Sequence, residues 1–158
     1  MQNKNGENKA LPFEVNRGFT AMPNSVSDFY TMHPRFTGAT ERLYLYLLRN
    51  YRSDKGYAYP GYRAIKEHTK IGSDSTVSNA IESLEYLNLI QVEQVRLSSG
   101  QKSNRYFFIK PIETYEEFVR RFGDDLPDKY LNNPLEVNKE VVVDTEEDDE
   151  FNDIAEWL

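Results

Sequence analysis

The chain has 158 residues, of which 39% are hydrophobic and 13% aromatic, so it can form one folded domain with a core. It contains no cysteine, which excludes disulfides, thiolate metal sites and cysteine nucleophiles. The net charge of −7 combines +1 over residues 1–35, a basic +4 over residues 36–111 and an acidic −12 over residues 112–158, so the total charge is a poor guide to partners.

The first residues, MQNKNGENKA, are polar, and we expect residues 1–12 to be disordered. They lack the apolar core of a secretory signal peptide. No apolar run in the chain reaches the roughly 18 residues that a membrane span needs. The sequence therefore predicts a cytoplasmic protein that does not contact a membrane.

Two helices are predicted between residues 37 and 72. In TGATERLYLYLLRNY, the side chains of Leu43, Leu47 and Leu48 fall on one face, the spacing of a buried helical stripe. The segment RSDKGYAYP then breaks the helix with a glycine and a proline. A second, shorter helix follows in GYRAIKEHTKIG.

A third helix begins at Ser73 or Asp74, with Asp74 expected to cap it. Its core stripe has spacings of 4, 3 and 3 residues and consists of Val77, Ile81, Leu84 and Leu87. The segments LIQVEQVRL and SNRYFFIK flank a turn, SSGQ, and predict a β-hairpin that is closed by Pro111.

Residues 112–123 predict a C-terminal amphipathic helix. Thr114 and Glu117 match a capping box, and the charges in the first and last turns agree with the helix dipole. The apolar stripe of this helix either covers the domain core or forms the contact of a homodimer. The stripe consists of Tyr115, Phe118, Val119 and Phe122.

Residues 124–158 predict an acidic, largely flexible tail, for which three roles are open. The tail is solvated disorder, or it carries a peptide at 151–158 that binds a partner protein, or it competes with DNA for the basic centre. The anchors of the peptide would be Phe151, Ile154, Trp157 and Leu158.

The order of helix, helix, turn, helix and hairpin over residues 36–111 resembles the winged helix-turn-helix family. The resemblance is carried by ERLYLYLLRNY, GYAYPGYRAIKEHTKIGSDSTVSNAIESLEYLNLIQV and SSGQKSNRYFFI. It is strongest to the DNA-binding domains of Gram-positive plasmid and phage replication initiators and related regulators. The sequence departs mildly from that pattern, with Gly61 after Tyr59-Pro60 where the family has serine, and Asn88 where the family has glycine.

The resemblance implies a winged helix-turn-helix domain over residues 13–111, with its core at 36–111. With the C-terminal helix and the disordered acidic tail predicted above, the fold class is α+β, mainly α. The resemblance also implies that the third helix enters the major groove of double-stranded DNA and that the hairpin, or wing, contacts the flanking DNA.

The third helix has no lysine or arginine between Ser73 and Leu89. Small polar residues can read bases, but affinity for DNA depends on cations that contact phosphates, and these have to lie on the flanking elements. The candidate DNA-binding residues are Arg63, Lys66, Lys70, Ser75, Thr76, Ser78, Asn79, Arg96, Lys102 and Arg105.

Two classes of function stay open. The first is a sequence-specific double-stranded DNA-binding protein of a Gram-positive phage, plasmid or mobile element, acting in transcription regulation or replication initiation. The second is a protein-interaction module whose winged helix and acidic tail bind or inhibit a host or replication protein. His33 and His68 have no metal-ligand spacing and no serine lies in a nucleophile motif, so we expect neither an enzyme nor a bound cofactor or metal.

Overall fold

A computed structural model describes residues 11–131, so the predictions for residues 1–10 and 132–158, including the peptide at 151–158, lie outside the described residues. The described chain is α+β and mainly helical, with one two-stranded antiparallel sheet. Its elements are α1 (Asn24–Asp28), α2 (Gly38–Arg49), α3 (Tyr62–Thr69), α4 (Asp74–Tyr86), β1 (Ile90–Arg96), β2 (Lys102–Phe108) and α5 (Tyr115–Phe122). Three short 3-10 helices cover Tyr30–Met32, Gly123–Asp125 and Asp128–Tyr130.

Side-chain caps fix where the longer helices begin. The hydroxyl of Thr37 accepts the backbone N–H of Thr40 at the start of α2, and that of Thr114 accepts the N–H of Glu117 at the start of α5. The cap of α4 is Ser73 rather than Asp74, because the Ser73 hydroxyl accepts a backbone N–H at 3.2 Å.

The core lies between α2 and α4. Leu43 and Leu47 of α2 are buried, as the spacing predicts, whereas Leu48 is half-buried at the edge of the stripe. The predicted stripe of α4 is confirmed, since all four of its members are buried: Val77, Ile81, Leu84 and Leu87. Burial of these side chains supplies the main driving force for packing the two helices together.

The hairpin is attached to the helices through the connection between α2 and α3. Its strands pair in the register that runs from Ile90 opposite Phe108 to Arg96 opposite Lys102. Ala58 exchanges two backbone hydrogen bonds with Tyr106 of β2, at 3.0 and 2.8 Å. The connection therefore lies along β2 and holds the hairpin beside the start of α3.

Helix α5 packs on Phe29, which directly follows α1, and on Tyr30 at the start of the following 3-10 helix. The ring of Phe118 is buried, with its centroid 5.0 Å from that of Tyr30 and 6.1 Å from that of Phe29, and Phe122 is buried beside it. Of the two roles predicted for this stripe, Phe118 and Phe122 have the first, because both are core residues of their own chain, and contact in a homodimer stays a prediction. The other two stripe residues, Tyr115 and Val119, are half-buried and also pack against the core.

The folded unit extends past the predicted end at residue 123. Residues 124–131 form two short 3-10 helices, and Leu126 is buried while Tyr130 and Leu131 pack against the core. The prediction of a flexible tail that begins at residue 124 is therefore wrong for these eight residues, since they bury apolar surface.

Candidate nucleic-acid interface

Helices α3 and α4 are joined by a tight turn and contact each other through two pairs of side chains. The turn starts at Lys70, whose φ of +61° lies in the left-handed region and ends α3. The hydroxyl of Tyr62 lies 3.0 Å from that of Ser78, and the ammonium of Lys66 lies 2.7 Å from a carboxylate oxygen of Asp74. Tyr62 and Lys66 are one turn apart on α3, and Asp74 and Ser78 are one turn apart on α4. The two contacts therefore fix the orientation of α4 against α3.

The exposed face of α4 consists of small polar side chains. Ser75, Thr76 and Asn79 are exposed, as their position opposite the core stripe predicts. The Ser73 hydroxyl lies 3.0 Å from that of Ser75 and 2.9 Å from that of Thr76, so the hydroxyls at the helix start form one cluster. Helix α4 contains no lysine or arginine, and its face therefore offers hydrogen bonds but no positive charge.

Ser78 differs from its three predicted neighbours. It is half-buried and its hydroxyl is within hydrogen-bonding distance of Tyr62, so it holds α4 against α3 instead of projecting from the face. Tyr62 itself was not predicted. Its place in the first turn of α3 could have suggested a contact with α4, but the partner could not be chosen without the helix orientation.

The start of α3 and one face of the hairpin enclose an open groove of about 490 Å³, which we call the hairpin groove. Its lining includes Arg63 on α3 together with Gln94, Lys102 and Asn104 on the hairpin. The register pairs Gln94 with Asn104 and Arg96 with Lys102, and cross-strand partners share a face of the sheet. Two cations and two amides thus form adjacent pairs on the hairpin face that meets α3.

The amides of the hairpin groove were missed by reasoning from sequence. Alternation along the strands and the short turn SSGQ contained the signal, since together they fix which residues share a face with Lys102. Gln94 and Asn104 are therefore additional candidates for hydrogen bonding at this surface.

Two of the predicted phosphate-contacting cations on α3 have carboxylate partners. Arg63 pairs with Glu67 at 3.1 Å, and Lys66 pairs with Asp74 as described above. The side chain of Arg63 is 92% exposed, and exposed ion pairs contribute roughly 0–1 kcal/mol. A phosphate can displace so weak a partner, so Arg63 stays available as a cation at this surface.

Arg105 lies on the other face of the hairpin. It is one residue from Asn104 along β2, so its side chain points away from the hairpin groove. There its guanidinium lies 4.9 Å from the centroid of the Tyr57 ring and 4.0 Å from the carboxylate of Glu93. The structure thus gathers Arg63, Arg96 and Lys102 on one side and separates Arg105 from them.

The C-terminal end of α4 is tied to the segment after α5. The hydroxyl of Tyr86 donates to the carboxylate of Asp125, which raises the pKa of Tyr86 and lowers that of Asp125. His33 donates to the same carboxylate from Nε2 at 3.1 Å, while its Nδ1 accepts the backbone N–H of Arg35 at 3.0 Å. Both ring nitrogens are occupied, so His33 is a structural residue that carries its proton on Nε2.

His68 stacks on Tyr46, with the ring centroids 5.2 Å apart. Within residues 11–131 no group of three or more histidine, aspartate or glutamate side chains is arranged to hold a metal ion. Over the same residues, no helix combines the length and the apolar content of a membrane span.

No family model, no curated protein and no solved structure matches the chain.

Proposed function

We propose that the chain is a sequence-specific double-stranded DNA-binding protein with a winged helix-turn-helix fold, which acts in transcription regulation or replication initiation in a Gram-positive phage, plasmid or mobile element. The observation that carries the proposal is the juxtaposition of α4 with the hairpin groove. Tyr62 of α3 lines this groove, which also contains Arg63 and Lys102, and its hydroxyl lies 3.0 Å from that of Ser78 on α4, so the helix with the exposed polar face is held next to the groove.

In this proposal α4 supplies specificity. Its exposed Asn79 can make two hydrogen bonds to the edge of an adenine, and Ser75 and Thr76 can bond to bases or phosphates. A reading helix without cations suits this task, because hydrogen bonds to base edges select sequence while contacts to phosphates do not.

Affinity in this proposal comes from Arg63, Arg96 and Lys102, with Lys70 at the turn. Phosphate contacts by Arg63, Arg96 and Lys102, without Lys70, give a slope of log K against log salt of about −2.7, which is a loss of roughly 40-fold between 50 and 200 mM salt. Residues 11–131 contain sixteen lysines and arginines against fifteen aspartates and glutamates, for a net +1. Attraction to DNA therefore depends on how the cations are placed and not on net charge.

The proposal is tested by fluorescence-anisotropy titration of a random-sequence duplex over a salt series. Lys102→Ala is expected to weaken binding and to reduce the slope by about 0.9. Lys129→Ala removes the same charge from the C-terminal 3-10 helix and is the matched control, with no change expected. Equal slopes for the two variants would refute contact between the hairpin and phosphate.

Specificity needs a separate measurement. Selection of duplexes from a randomised pool is expected to enrich one sequence for the wild type, and Asn79→Ala is expected to lose about 1–3 kcal/mol of preference for it. The variant should bind random duplex as the wild type does, because Asn79 carries no charge.

A second candidate function is that of a protein-interaction module, and the charge on the exposed face of α4 supports it. That face carries no cation, and it continues into exposed Glu82 and Glu85. A selection that enriches no duplex, combined with equal salt slopes for the two lysine variants, would favour this candidate over DNA binding.

A further inference from the structure

The residues before α1 form an exposed, apolar arm. Of the eight large hydrophobic side chains that are exposed in the described chain, four belong to residues 11–19: Leu11, Phe13, Val15 and Phe19. Phe19 is 68% exposed, although burial of a phenylalanine side chain stabilises by roughly 1.5–3 kcal/mol. A cluster of exposed apolar side chains on one short segment marks a surface that another segment covers.

The arm forms one wall of an open groove of about 960 Å³, which we call the arm groove. Its apolar walls include Phe19 from the arm, Leu48 and Tyr51 from α2 and the following loop, and Phe108 from β2. The arm groove also contains Arg17 and Arg49, and neither is in an ion pair with any residue of the described range 11–131. The surface is thus aromatic and cationic together.

Only one part of this chain has the complementary chemistry. Residues 132–158 contain ten aspartates and glutamates against a single lysine. Their last fifteen residues, DTEEDDEFNDIAEWL, place acidic side chains among apolar ones: Phe151, Ile154, Trp157 and Leu158. Carboxylates complement Arg17 and Arg49, and the apolar side chains complement the aromatic walls.

The chain is also long enough to bring this segment to the arm groove. The described range ends at Leu131, and the twenty residues from there to Phe151 can span about 66 Å when extended. A globular unit of this size has a radius of gyration of about 14 Å, so half of its circumference is roughly 55 Å. Any point on the surface is therefore within reach.

We propose that residues 144–158 bind in the arm groove of their own chain, with the apolar residues against Phe19 and Tyr51 and the acidic residues against Arg17 and Arg49. Tethering gives the segment an effective concentration of about 1 mM, so a site with a Kd of roughly 100 μM is filled in about 90% of molecules. The interaction does not depend on DNA binding, and either proposal can fail without the other.

The chain contains a probe for this contact, because Trp157 is its only tryptophan. In the full-length protein we expect Trp157 emission to be blue-shifted relative to the same protein in urea, with weaker quenching by acrylamide. The double variant Arg17→Glu/Arg49→Glu is expected to shift the emission to the red and to raise the quenching constant at least about twofold, since most segments are then released. Far-UV circular dichroism verifies that this variant, changed only at exposed residues, stays folded.

The matched control is Arg120→Glu/Arg121→Glu, which makes the same change of charge at two exposed positions of α5 and should leave Trp157 unchanged. Phe19→Ala should release the segment without a change of charge, which separates apolar contact from general electrostatics. The proposal is overturned if wild-type emission equals that in urea, or if the α5 variant moves it as much as the groove variant. A shift that depends on protein concentration also overturns it, because the segment then binds another copy.

Discussion

Phe118 is the residue whose replacement best tests that α5 belongs to the folded unit. Its side chain has no solvent exposure, and its ring lies 5.0 Å from Tyr30, 5.1 Å from Phe122 and 6.1 Å from Phe29, measured between centroids. The change Phe118→Ala removes the ring from this aromatic cluster and leaves a cavity between α5 and the elements on which it packs.

The loss is large compared with the stability of a domain of this size. Replacement of a buried phenylalanine by alanine costs about 3–5 kcal/mol, through lost transfer energy and the residual cavity, against a total of roughly 5–15 kcal/mol. The matched control is Phe13→Ala, the same change at a side chain that is 63% exposed and does not line the arm groove, where the expected effect is below about 0.5 kcal/mol.

Urea unfolding followed by far-UV circular dichroism measures the difference. With a denaturant slope of about 2 kcal/mol/M, Phe118→Ala should lower the midpoint by roughly 1.5–2.5 M while Phe13→Ala leaves it in place. The midpoint should not depend on protein concentration, because Phe118 contacts its own chain. Equal midpoints for the two variants would refute the placement of α5 in the core.

Three further predictions concern ionisation and the hairpin turn. Burial raises the pKa of Tyr44 and of Tyr106 to about 12. The contribution of each to the free energy of unfolding is therefore fully present below pH 10 and falls by about 3 kcal/mol as the pH rises towards 12. A tyrosinate absorbance titration should show these two groups ionising only as the chain unfolds, and their ionisation in the folded chain would contradict the burial. The hydrogen bond from Tyr86 lowers the pKa of Asp125, so its contribution is present above the unfolded value of about 3.9 and is lost as the pH falls below it. In a series of urea midpoints measured against pH, Asp125→Asn should reduce the fall of the midpoint at acid pH. An unchanged fall would show that another carboxyl group causes it. Gly100 has a φ of +84°, and a β-carbon added there would meet no other atom. Gly100→Ala should therefore lower the free energy of unfolding by about 1–2 kcal/mol through backbone strain alone. An unchanged free energy of unfolding would mean that the turn adopts another conformation.

The order of α2, α3, α4 and the hairpin could be predicted from sequence because each has a strong periodic or punctuation signal. The stripe from Val77 to Leu87 predicted α4 and its buried face, and Asn88, which stands where the resembled family has glycine, has the left-handed φ of +56° that glycine adopts readily. Each of these signals lies within a short segment of the sequence, so it can be recognised without knowledge of the tertiary contacts.

The features that sequence reasoning missed depend on contacts between distant residues. The hydrogen bond between Tyr86 and Asp125 joins positions 39 residues apart, and nothing in either local sequence indicates the other. Residues 124–131 looked like the start of an acidic tail because their apolar side chains are few and separated by Pro127. At the candidate interface, Lys66 could be recognised as a cation, but its pairing with Asp74 follows only from the angle between two helices.

The bridge between Ala58 and Tyr106 decides which side of the hairpin can accept another strand. It occupies the outer edge of β2, whereas β1 has no further partner strand within the described part of the chain. An open edge invites pairing with other chains, and charged side chains on a short strand discourage it. Glu93 and Arg96 lie on this seven-residue strand. Among residues 11–131, β1 is therefore the more exposed edge of the hairpin, and the charges of Glu93 and Arg96 discourage the addition of a strand from another chain there.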